Sequence, residues 1–209
     1  MNAKRLLLIG GGGHCLSVLD AVTGYDAIGI VEKQGGSAAA GGLDIVGADE
    51  DLPKLLEAGW TDAFITVGSV GNTALRRKLY GLVKALGFHV PAIIDPSAAV
   101  ARDAQIGEGC FVGKRAVVNT RSALGCCAIV NSGAIVEHEC RVGAFAHISP
   151  GATLCGNVTV GNDAHVGAGS VVRQGIAVGN GALVGIGSAV VKDIPPGAKA
   201  YGNPCKVVG

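Results

Sequence analysis

A six-residue period in aliphatic residues constrains this chain more than any other feature. The first residue of each hexad is Ile, Leu or Val in seventeen of seventeen hexads, with no change of phase over the 102 residues from 94 to 195. The fifth residue is nearly always small, and the second is often Gly. The hexads begin at Ile94, Val100, Ile106, Val112, Val118, Leu124, Val130, Val136, Val142, Ile148, Leu154, Val160, Val166, Val172, Val178, Val184 and Val190. This repeat is typical of a hexapeptide-repeat β-helix.

One large and one small inward side chain per hexad fit a narrow triangular prism with a short strand on each wall. Three hexads make a coil of eighteen residues, so residues eighteen apart should stack, with coils about 4.8 Å apart. A six-residue spacing does not follow the 3.6-residue helical period, and it is not the two-residue alternation of a hairpin sandwich. The repeat therefore predicts nearly six coils of parallel β-helix.

Composition excludes several classes of function. The formal charge is +1 and aromatic residues make up only 4%, which argues against nucleic acid or an anionic membrane as a partner. No apolar run reaches membrane-spanning length, and the run that ends at Gly10 is too short for a signal peptide, so we expect a cytoplasmic protein. The seven cysteines are odd in number and lack CxxC spacing, which favours reduced, structural thiols over zinc ligands.

The residues before the repeat alternate between strand and helix patterns. We predict a small Rossmann-like parallel α/β domain over residues 1–91 and a β-helix domain with a C-terminal tail over 92–209. The predicted strands are Arg5–Gly10, Ala27–Val31 and Ala63–Val67, and the predicted helices are His14–Val22, Leu52–Ala58 and Thr73–Leu86.

Four glycines, Gly10 to Gly13, separate the first strand from the first helix. Glycines allow close approach of an anion, and a helix N-terminus offers N–H donors and a favourable dipole, so this turn could hold a phosphate group. Glu32 and Lys33 end the second strand and Gly68 follows the third, at the edge where α/β sheets bind ligands. A tight turn without a ligand is the alternative, because a glycine cluster alone is a weak motif.

Histidines provide the chemical candidates in the repeat. His138 lies between Glu137 and Glu139, at positions that should face outward from a wall, and a neighbouring carboxylate would suit it to act as a general base. A solvated patch of charge is the alternative. His147 and His165 are eighteen residues apart and should stack at a corner, either lining a groove or lying on the surface. A metal at this pair would need a third ligand.

Several motifs together resemble those of bacterial sugar O/N-acetyltransferases of the PglD/NeuD type. The resemblance covers essentially the whole chain and implies a nucleotide-sugar-binding α/β domain, a left-handed β-helix and assembly as a homotrimer. The matching motifs are Gly12-Gly13-His14, Asn131, Glu137-His138-Glu139-Cys140, Ala146-His147-Ile148-Ser149-Pro150-Gly151-Ala152, Gly156-Asn157-Val158 and Gly202-Asn203-Pro204.

The resemblance implies acetyl-CoA as co-substrate, no metal, and a role for each matching residue. His138 would be the general base that takes a proton from the sugar amine, and Glu139 its orienting partner. The Gly156 amide would donate to the thioester oxyanion. The acetyl-CoA site would include Asn131, His147, Gly156, Ala168 and Ile186, and the nucleotide-sugar site Gly12, Gly13, His14, Glu32, Lys33 and Gly68. The active site would be shared between subunits.

The resemblance leaves the substrate open. Related enzymes that use uridine diphosphate sugars commonly have two acidic residues where this chain has Glu32-Lys33, so the nucleotide is not fixed. An amino sugar of the 4-amino type is the expected acceptor. The alternatives are O-acetylation of sialic acid, acetylation of serine or another small molecule, a non-enzymatic scaffold, and a metal-dependent hydratase of the carbonic anhydrase type.

Overall fold

The computed structural model describes residues 3–32 and 42–208. Lys33 and most of the glycine-rich loop that follows it lie outside the described residues. The chain divides into two compact units. The first comprises Met1–Ser69 and Ala74–Ile93, and the second comprises Val70–Thr73 and Ile94–Gly209. Within the described residues, no helix is long and apolar enough to cross a membrane.

The first unit is built on a four-stranded parallel sheet, which confirms the predicted α/β class. Its strands are β1 (Arg5–Ile9), β2 (Ala27–Val31), β3 (Ile45–Gly47) and β4 (Asp62–Ile65), in the order β3-β2-β1-β4. Its helices are α1 (Gly13–Ala21), α2 (Leu52–Glu57) and α3 (Ala74–Leu86), and a 3₁₀ turn over Asp49–Asp51 precedes α2. Strand β3 was not predicted, because three residues carry too little periodic signal.

The central strand β1 organises this unit. It pairs with β2 on one side and β4 on the other, and Leu6 to Ile9 are buried without alternation. A run that is apolar on both faces is expected of a parallel strand covered on both sides of the sheet. The carboxyl ends of β1, β2 and β4 therefore lie together at one edge.

The second unit is a left-handed β-helix with three walls, as predicted. Wall 1 contains β5 (Ile93–Ile94), β8 (Phe111–Val112), β11 (Ile129–Val130), β14 (His147–Ile148), β17 (His165–Val166), β20 (Leu183–Val184), β22 (Lys199–Tyr201) and β23 (Lys206–Val208). Wall 2 contains β6 (Ala99–Val100), β9 (Val117–Val118), β12 (Ile135–Val136), β15 (Thr153–Leu154), β18 (Val171–Val172) and β21 (Ala189–Val190). Wall 3 contains β7 (Gln105–Ile106), β10 (Ala123–Leu124), β13 (Arg141–Val142), β16 (Thr159–Val160) and β19 (Ala177–Val178).

The strand register confirms the eighteen-residue coil. Ile129 pairs with His147, and His147 pairs in turn with His165. The second residue of each strand is the hexad start and points into the prism, where it meets the small fifth residue, as with the fully buried Val130 and Ala128. The column of inward side chains forms one continuous core. The register therefore determines which side chains face outward, and these are the side chains that can take part in binding or catalysis.

The corners need a left-handed backbone at the fourth position of each hexad. From Gly109 to Gly187 this residue has positive φ in every hexad, and half of these positions are not glycine. The non-glycine members are Arg115, Arg121, Cys127, Glu139, Phe145, Asn157 and Asp163. Such residues have a conformational cost of about 1 kcal/mol or more each, which the stacked coils sustain.

The frequent second-position glycines are concentrated at one corner, between walls 3 and 1. There Gly107, Gly125, Gly143, Gly161 and Gly179 stack, and a Cβ on Gly143 would lie 2.5 Å from the backbone N of Asn162 in the next coil. The coils are too close at this corner for a side chain. At the corner between walls 2 and 3 the second position carries larger residues such as Asn119 and Glu137. At the corner between walls 1 and 2 it is a glycine in some coils, as at Gly167, and a larger residue such as Asn131 in others. Both groups of β-helix site residues described below lie at or beside these two corners.

Candidate functional site

A cavity of about 450 Å³ opens at the carboxyl ends of β1, β2 and β4 in the first unit. Five of the six residues predicted for nucleotide-sugar binding line it: Gly12, Gly13, His14, Glu32 and Gly68. The sixth, Lys33, lies outside the described residues. The remaining lining residues are mainly apolar side chains, including Leu75 and Leu79 from α3.

The glycine turn gives this cavity its polar surface. The Thr66 hydroxyl donates to the carbonyl of Gly10 at 2.5 Å, and the Gly11 N–H donates to Oε2 of Glu32 at 2.6 Å. A Cβ on Gly12 or Gly13 would meet nothing within 4 Å, so open space lies over the backbone where α1 begins. The arrangement offers helix N-terminal N–H groups to an anion, with a carboxylate beside them.

His14 is neutral in this cavity at physiological pH. Burial, together with the Arg76 guanidinium, lowers the pKa of His14 to about 4. A neutral imidazole has one N–H donor and one acceptor, so it can bind a phosphate oxygen or a hydroxyl without adding a positive charge. His14 was predicted from the sequence as a nucleotide-sugar contact, whereas the effect of Arg76 on its pKa could be seen only in the fold.

His138 and Glu139 form a histidine–carboxylate pair at the corner between walls 2 and 3. Nδ1 of His138 lies 3.3 Å from Oε2 of Glu139, and Oε1 of Glu139 lies 3.6 Å from Nη1 of Arg121. The expectation that His138 lies on a wall is wrong, because each wall strand here contains only the sixth and first residues of its hexads and His138 occupies the third. At the corner its side chain is 47% exposed and accessible to a substrate.

The pairing sets the chemistry of the His138 ring. A carboxylate accepts only, so Nδ1 of His138 donates to Glu139, and Nε2 of the neutral ring carries the free lone pair. That lone pair can accept a proton, and Glu139 stabilises the imidazolium that results. The arrangement is therefore suited to general-base catalysis.

Gly156 lies directly above His138 in the next coil. A Cβ at position 156 would lie 2.5 Å from both Cε1 and Nε2 of His138, so the imidazole rests on the Gly156 backbone. Among the described residues the Gly156 N–H has no hydrogen-bond acceptor. An imidazole suited to act as a base and an N–H donor thus lie side by side at this corner.

Sequence reasoning missed two residues that support this corner. Arg121 pairs with Glu139, and Nδ2 of Asn119 donates to Oε2 of Glu137 at 2.9 Å. Each precedes its partner by eighteen residues, so the coil length would have identified both. The Glu137 Oε2 also accepts the backbone N–H of His138 at 3.3 Å, which ties the carboxylate to the corner that carries His138.

Four of the five residues predicted for acetyl-CoA form a second group around wall 1, whereas the fifth, Gly156, lies beside His138. Nδ2 of Asn131 lies 3.2 Å from Nε2 of His147. Ala168 and Ile186 follow wall 1 at the corner between walls 1 and 2, and Ile186 is 79% exposed. The predicted stacking of His147 and His165 is confirmed, but the prediction that they lie at a corner is wrong, because both are the first residues of wall 1 strands.

Within this chain the two groups lie apart. His138, Glu139 and Gly156 lie at the corner between walls 2 and 3, whereas Asn131 and His147 lie at wall 1 and its corner with wall 2. The whole of wall 2 separates the groups. Within residues 3–32 and 42–208, no three His, Cys, Asp or Glu side chains are grouped so that they could hold a metal ion.

Comparison with known proteins agrees with both units. Residues 5–83 match the model of the PglD N-terminal domain, and residues 139–174 match the bacterial transferase hexapeptide (six repeats). The solved structure of PerB from Caulobacter crescentus, in complex with CoA and GDP-perosamine, is 37% identical, with a TM-score of 0.91 over 98% of this chain and 97% of that chain. The chain belongs to the PglD/NeuD-type sugar acetyltransferases.

A second solved structure agrees with this assignment, and a third agrees in fold. The acetyltransferase domain of PglB from Neisseria gonorrhoeae, in complex with acetyl coenzyme A, is 36% identical, with a TM-score of 0.91 over 99% of this chain and 100% of that chain. WeeI from Acinetobacter baumannii is 18% identical with a TM-score of 0.65, and this likeness shows the fold alone. Comparison with curated protein sequences finds no match.

Proposed function

We propose that this PglD/NeuD-type acetyltransferase transfers the acetyl group of acetyl-CoA to the amine of a nucleotide-linked amino sugar of the 4-amino type. The observation that carries the proposal is the His138 ring, which Glu139 orients and which rests against the Gly156 backbone. The similarity to PerB and to the PglB domain, solved with GDP-perosamine and CoA and with acetyl coenzyme A respectively, supports the choice of substrates.

The reaction proceeds by direct attack of the sugar amine on the thioester carbonyl. His138 Nε2 takes a proton from the amine as the C–N bond forms, and Glu139 stabilises the imidazolium. The Gly156 N–H donates to the oxyanion of the tetrahedral intermediate. When the C–S bond breaks, coenzyme A leaves as the thiolate and takes the proton from His138, so no acyl-enzyme forms and no cysteine is needed.

The cavity of the first unit binds the nucleotide portion of the acceptor. The N-terminus of α1 and the open backbone at Gly12 and Gly13 bind the diphosphate, and neutral His14 adds one uncharged contact. Oε2 of Glu32 accepts from Gly11, and we assign this carboxylate a contact with a hydroxyl or an amine of the nucleoside. Because both guanosine and uridine offer such groups, amino sugars linked to either nucleoside diphosphate are tested as acceptors.

The active site forms between the subunits of a homotrimer. Outward residues of wall 2 include Val117, Ile135 and Val171, of which Val171 is 46% exposed, whereas wall 3 presents polar residues such as Arg141 and Thr159. Three prisms that turn the apolar wall 2 toward a common axis bring the His147 group of one protomer beside the His138 group of the next. This arrangement unites the two groups that one protomer keeps apart, and the use of acetyl-CoA and a nucleotide sugar fits a cytoplasmic enzyme.

The first test measures release of coenzyme A and the mass of the acetylated product with amino sugars linked to guanosine or uridine diphosphate. Wild type should acetylate one of these, and His138→Ala should lower turnover by about 10² to 10⁴. Near-normal turnover by the variant would refute the general base. Acetylation of free sialic acid alone would instead favour an O-acetyltransferase.

A subunit-mixing test examines the shared site. His138→Ala and His147→Ala should each be nearly inactive, but co-refolded mixtures should contain interfaces with one intact group from each protomer. Random assembly at equal amounts should give wild-type sites at about a quarter of the interfaces. If mixing restores no activity, the two groups do not form one site between protomers.

A further inference from the structure

A second polar pair, Ser149 and His165, repeats the Asn131–His147 pair one coil higher. Oγ of Ser149 lies 3.2 Å from Nε2 of His165, and Nδ2 of Asn131 lies the same distance from Nε2 of His147. Both residues of the upper pair follow those of the lower pair by eighteen positions. The proposed acetyl-transfer mechanism uses His147 but assigns nothing to Ser149 or His165.

The lower pair has a defined proton arrangement. The Ser132 N–H donates to Oδ1 of Asn131 at 2.8 Å, which fixes the orientation of the Asn131 amide. Its Nδ2 group can only donate, so Nε2 of His147 accepts. The neutral His147 ring must then carry its proton on Nδ1, which is the less common tautomer of histidine in water.

The upper pair is buried against the lower one. His165 is 7% exposed and Ser149 is 4% exposed. The ring centroids of His165 and His147 lie 5.0 Å apart, with the ring planes at 87°, an edge-to-face contact. Such contacts favour one relative orientation of the two rings.

His165 makes this contact as a neutral ring. Burial lowers the pKa of His165, so it does not place a second positive charge beside His147. Nδ1 of His165 is buried and has no hydrogen-bond partner among the described residues, and Ser149 is the partner of Nε2. A buried nitrogen without a partner is costly, which argues for a purpose other than stability.

We propose that His165, held by Ser149, is a positioning residue that fixes the ring of His147 in the orientation that accepts from Asn131. His165 acts through the edge-to-face contact and touches no substrate. The inference rests on the proposed function only in assigning His147 to the acetyl-CoA site. Burial of Ser149 excludes it as an accessible nucleophile, and the His147–His165 pair lacks the third ligand that a metal site would need.

The direct test is the tautomer of His147, read from long-range ¹H–¹⁵N spectra of the whole protein labelled in its histidine rings. The chain has only five histidines, so the signals can be assigned by single substitutions. Wild type should show His147 with Nδ1 protonated. His165→Ala should shift His147 toward the Nε2-protonated form, as Asn131→Ala should. An unchanged His147 signal in His165→Ala would overturn the proposal, as would Nε2 protonation in wild type.

A second variant separates positioning from folding. His165→Phe keeps an aromatic ring at this place and removes the unpartnered nitrogen, so it should fold stably and largely retain the wild-type tautomer of His147. If His165→Phe shifts the tautomer as far as His165→Ala does, the ring contact is not the positioning device.

Acetyl-CoA binding supplies the functional measurement. His165→Ala should raise the Kd and KM for acetyl-CoA by roughly 10-fold and leave the KM for the nucleotide sugar unchanged, since misplacement of a contact group by about 1 Å can cost up to 10². Asn180→Ala is the control, because it removes a comparable 2.8 Å bond to the backbone N of Asn162 at the corner between walls 3 and 1. Equal acetyl-CoA affinity in His165→Ala and wild type, together with an unchanged His147 tautomer, would overturn the proposal.

The two readouts distinguish failure of this inference from failure of the proposed function. The tautomer is measured without substrate, and acetyl-CoA affinity is measured without an acceptor sugar. A tautomer shift with no change in affinity would overturn the assignment of His147 to the acetyl-CoA site. An affinity change with no acetylation of any amino sugar would instead refute the proposed acceptor and leave the positioning role standing.

Discussion

Substitution of Gly156 by alanine should displace His138, the proposed general base, and lower turnover with little loss of stability. The new Cβ would lie 2.5 Å from Cε1 and Nε2 of His138, whereas carbon atoms in contact usually approach to about 3.5 Å. The imidazole must therefore move by about 1 Å. A displacement of this size in a reacting group costs up to about 10² in rate.

The free energy of unfolding should change by less than about 1 kcal/mol. Gly156 does not have the positive φ that makes alanine unfavourable, and the half-exposed His138 ring can swing toward solvent. Gly181→Ala is the matched control. Gly181 has φ of +64° and nothing within 4 Å of an added Cβ, so alanine there should cost about 1 kcal/mol of stability and no activity.

The assay is kcat for coenzyme A release, measured for Gly156→Ala, His138→Ala and the double variant, alongside denaturant unfolding of each. Because alanine at 156 acts through the His138 ring, its effect should nearly vanish when His138 is already absent. Full additivity of the two effects would refute this reasoning. A wild-type kcat in Gly156→Ala would show that the ring position does not matter for catalysis.

Three further outcomes are expected. Gly161→Ala should lower the free energy of unfolding by about 2 to 3 kcal/mol, because its Cβ would lie 2.5 Å from the backbone N of Asn180. If denaturant titration shows no loss of this free energy, the close stacking of coils is contradicted. Glu139→Gln should lower kcat by roughly 10-fold to 100-fold with intact folding, since His138 loses its anionic partner, and unchanged kinetics would argue against the pair. The pKa of His14 falls from 6.5 to about 4 on folding, so the unfolded state binds the proton first as the pH falls. About 3 kcal/mol of the free energy of unfolding should therefore be lost between pH 6.5 and pH 4. His14→Gln should reduce the pH dependence of this free energy, and equal pH dependence in variant and wild type would refute the buried neutral histidine.

Several features were predictable because they are periodic or local. The hexad pattern predicted the prism, the coil length and the stacking of His147 on His165, since the first position of each hexad points inward and must be apolar in every coil. The glycine turn before α1 and its place at the sheet edge followed from the alternation of strands and helices. His138 was predicted as a candidate base from its two carboxylate neighbours, whereas its place at a corner was not predicted.

Other features depend on contacts that no local pattern records. The sequence does not show that the His138 ring rests on Gly156 or that Arg121 pairs with Glu139. Nor does it show that Arg76 helps to lower the pKa of His14. The sequence did not distinguish the three corners either. Glycine is required at the second position only where coils approach too closely for a side chain, and the spacing of the coils at each corner is visible only in the fold. The amino-acid sequence by itself determined the repeating architecture, because burial selects residue types at every turn of the coil. Only the tertiary structure decided how the two groups of site residues are separated, because that depends on which corner of the prism each hexad occupies.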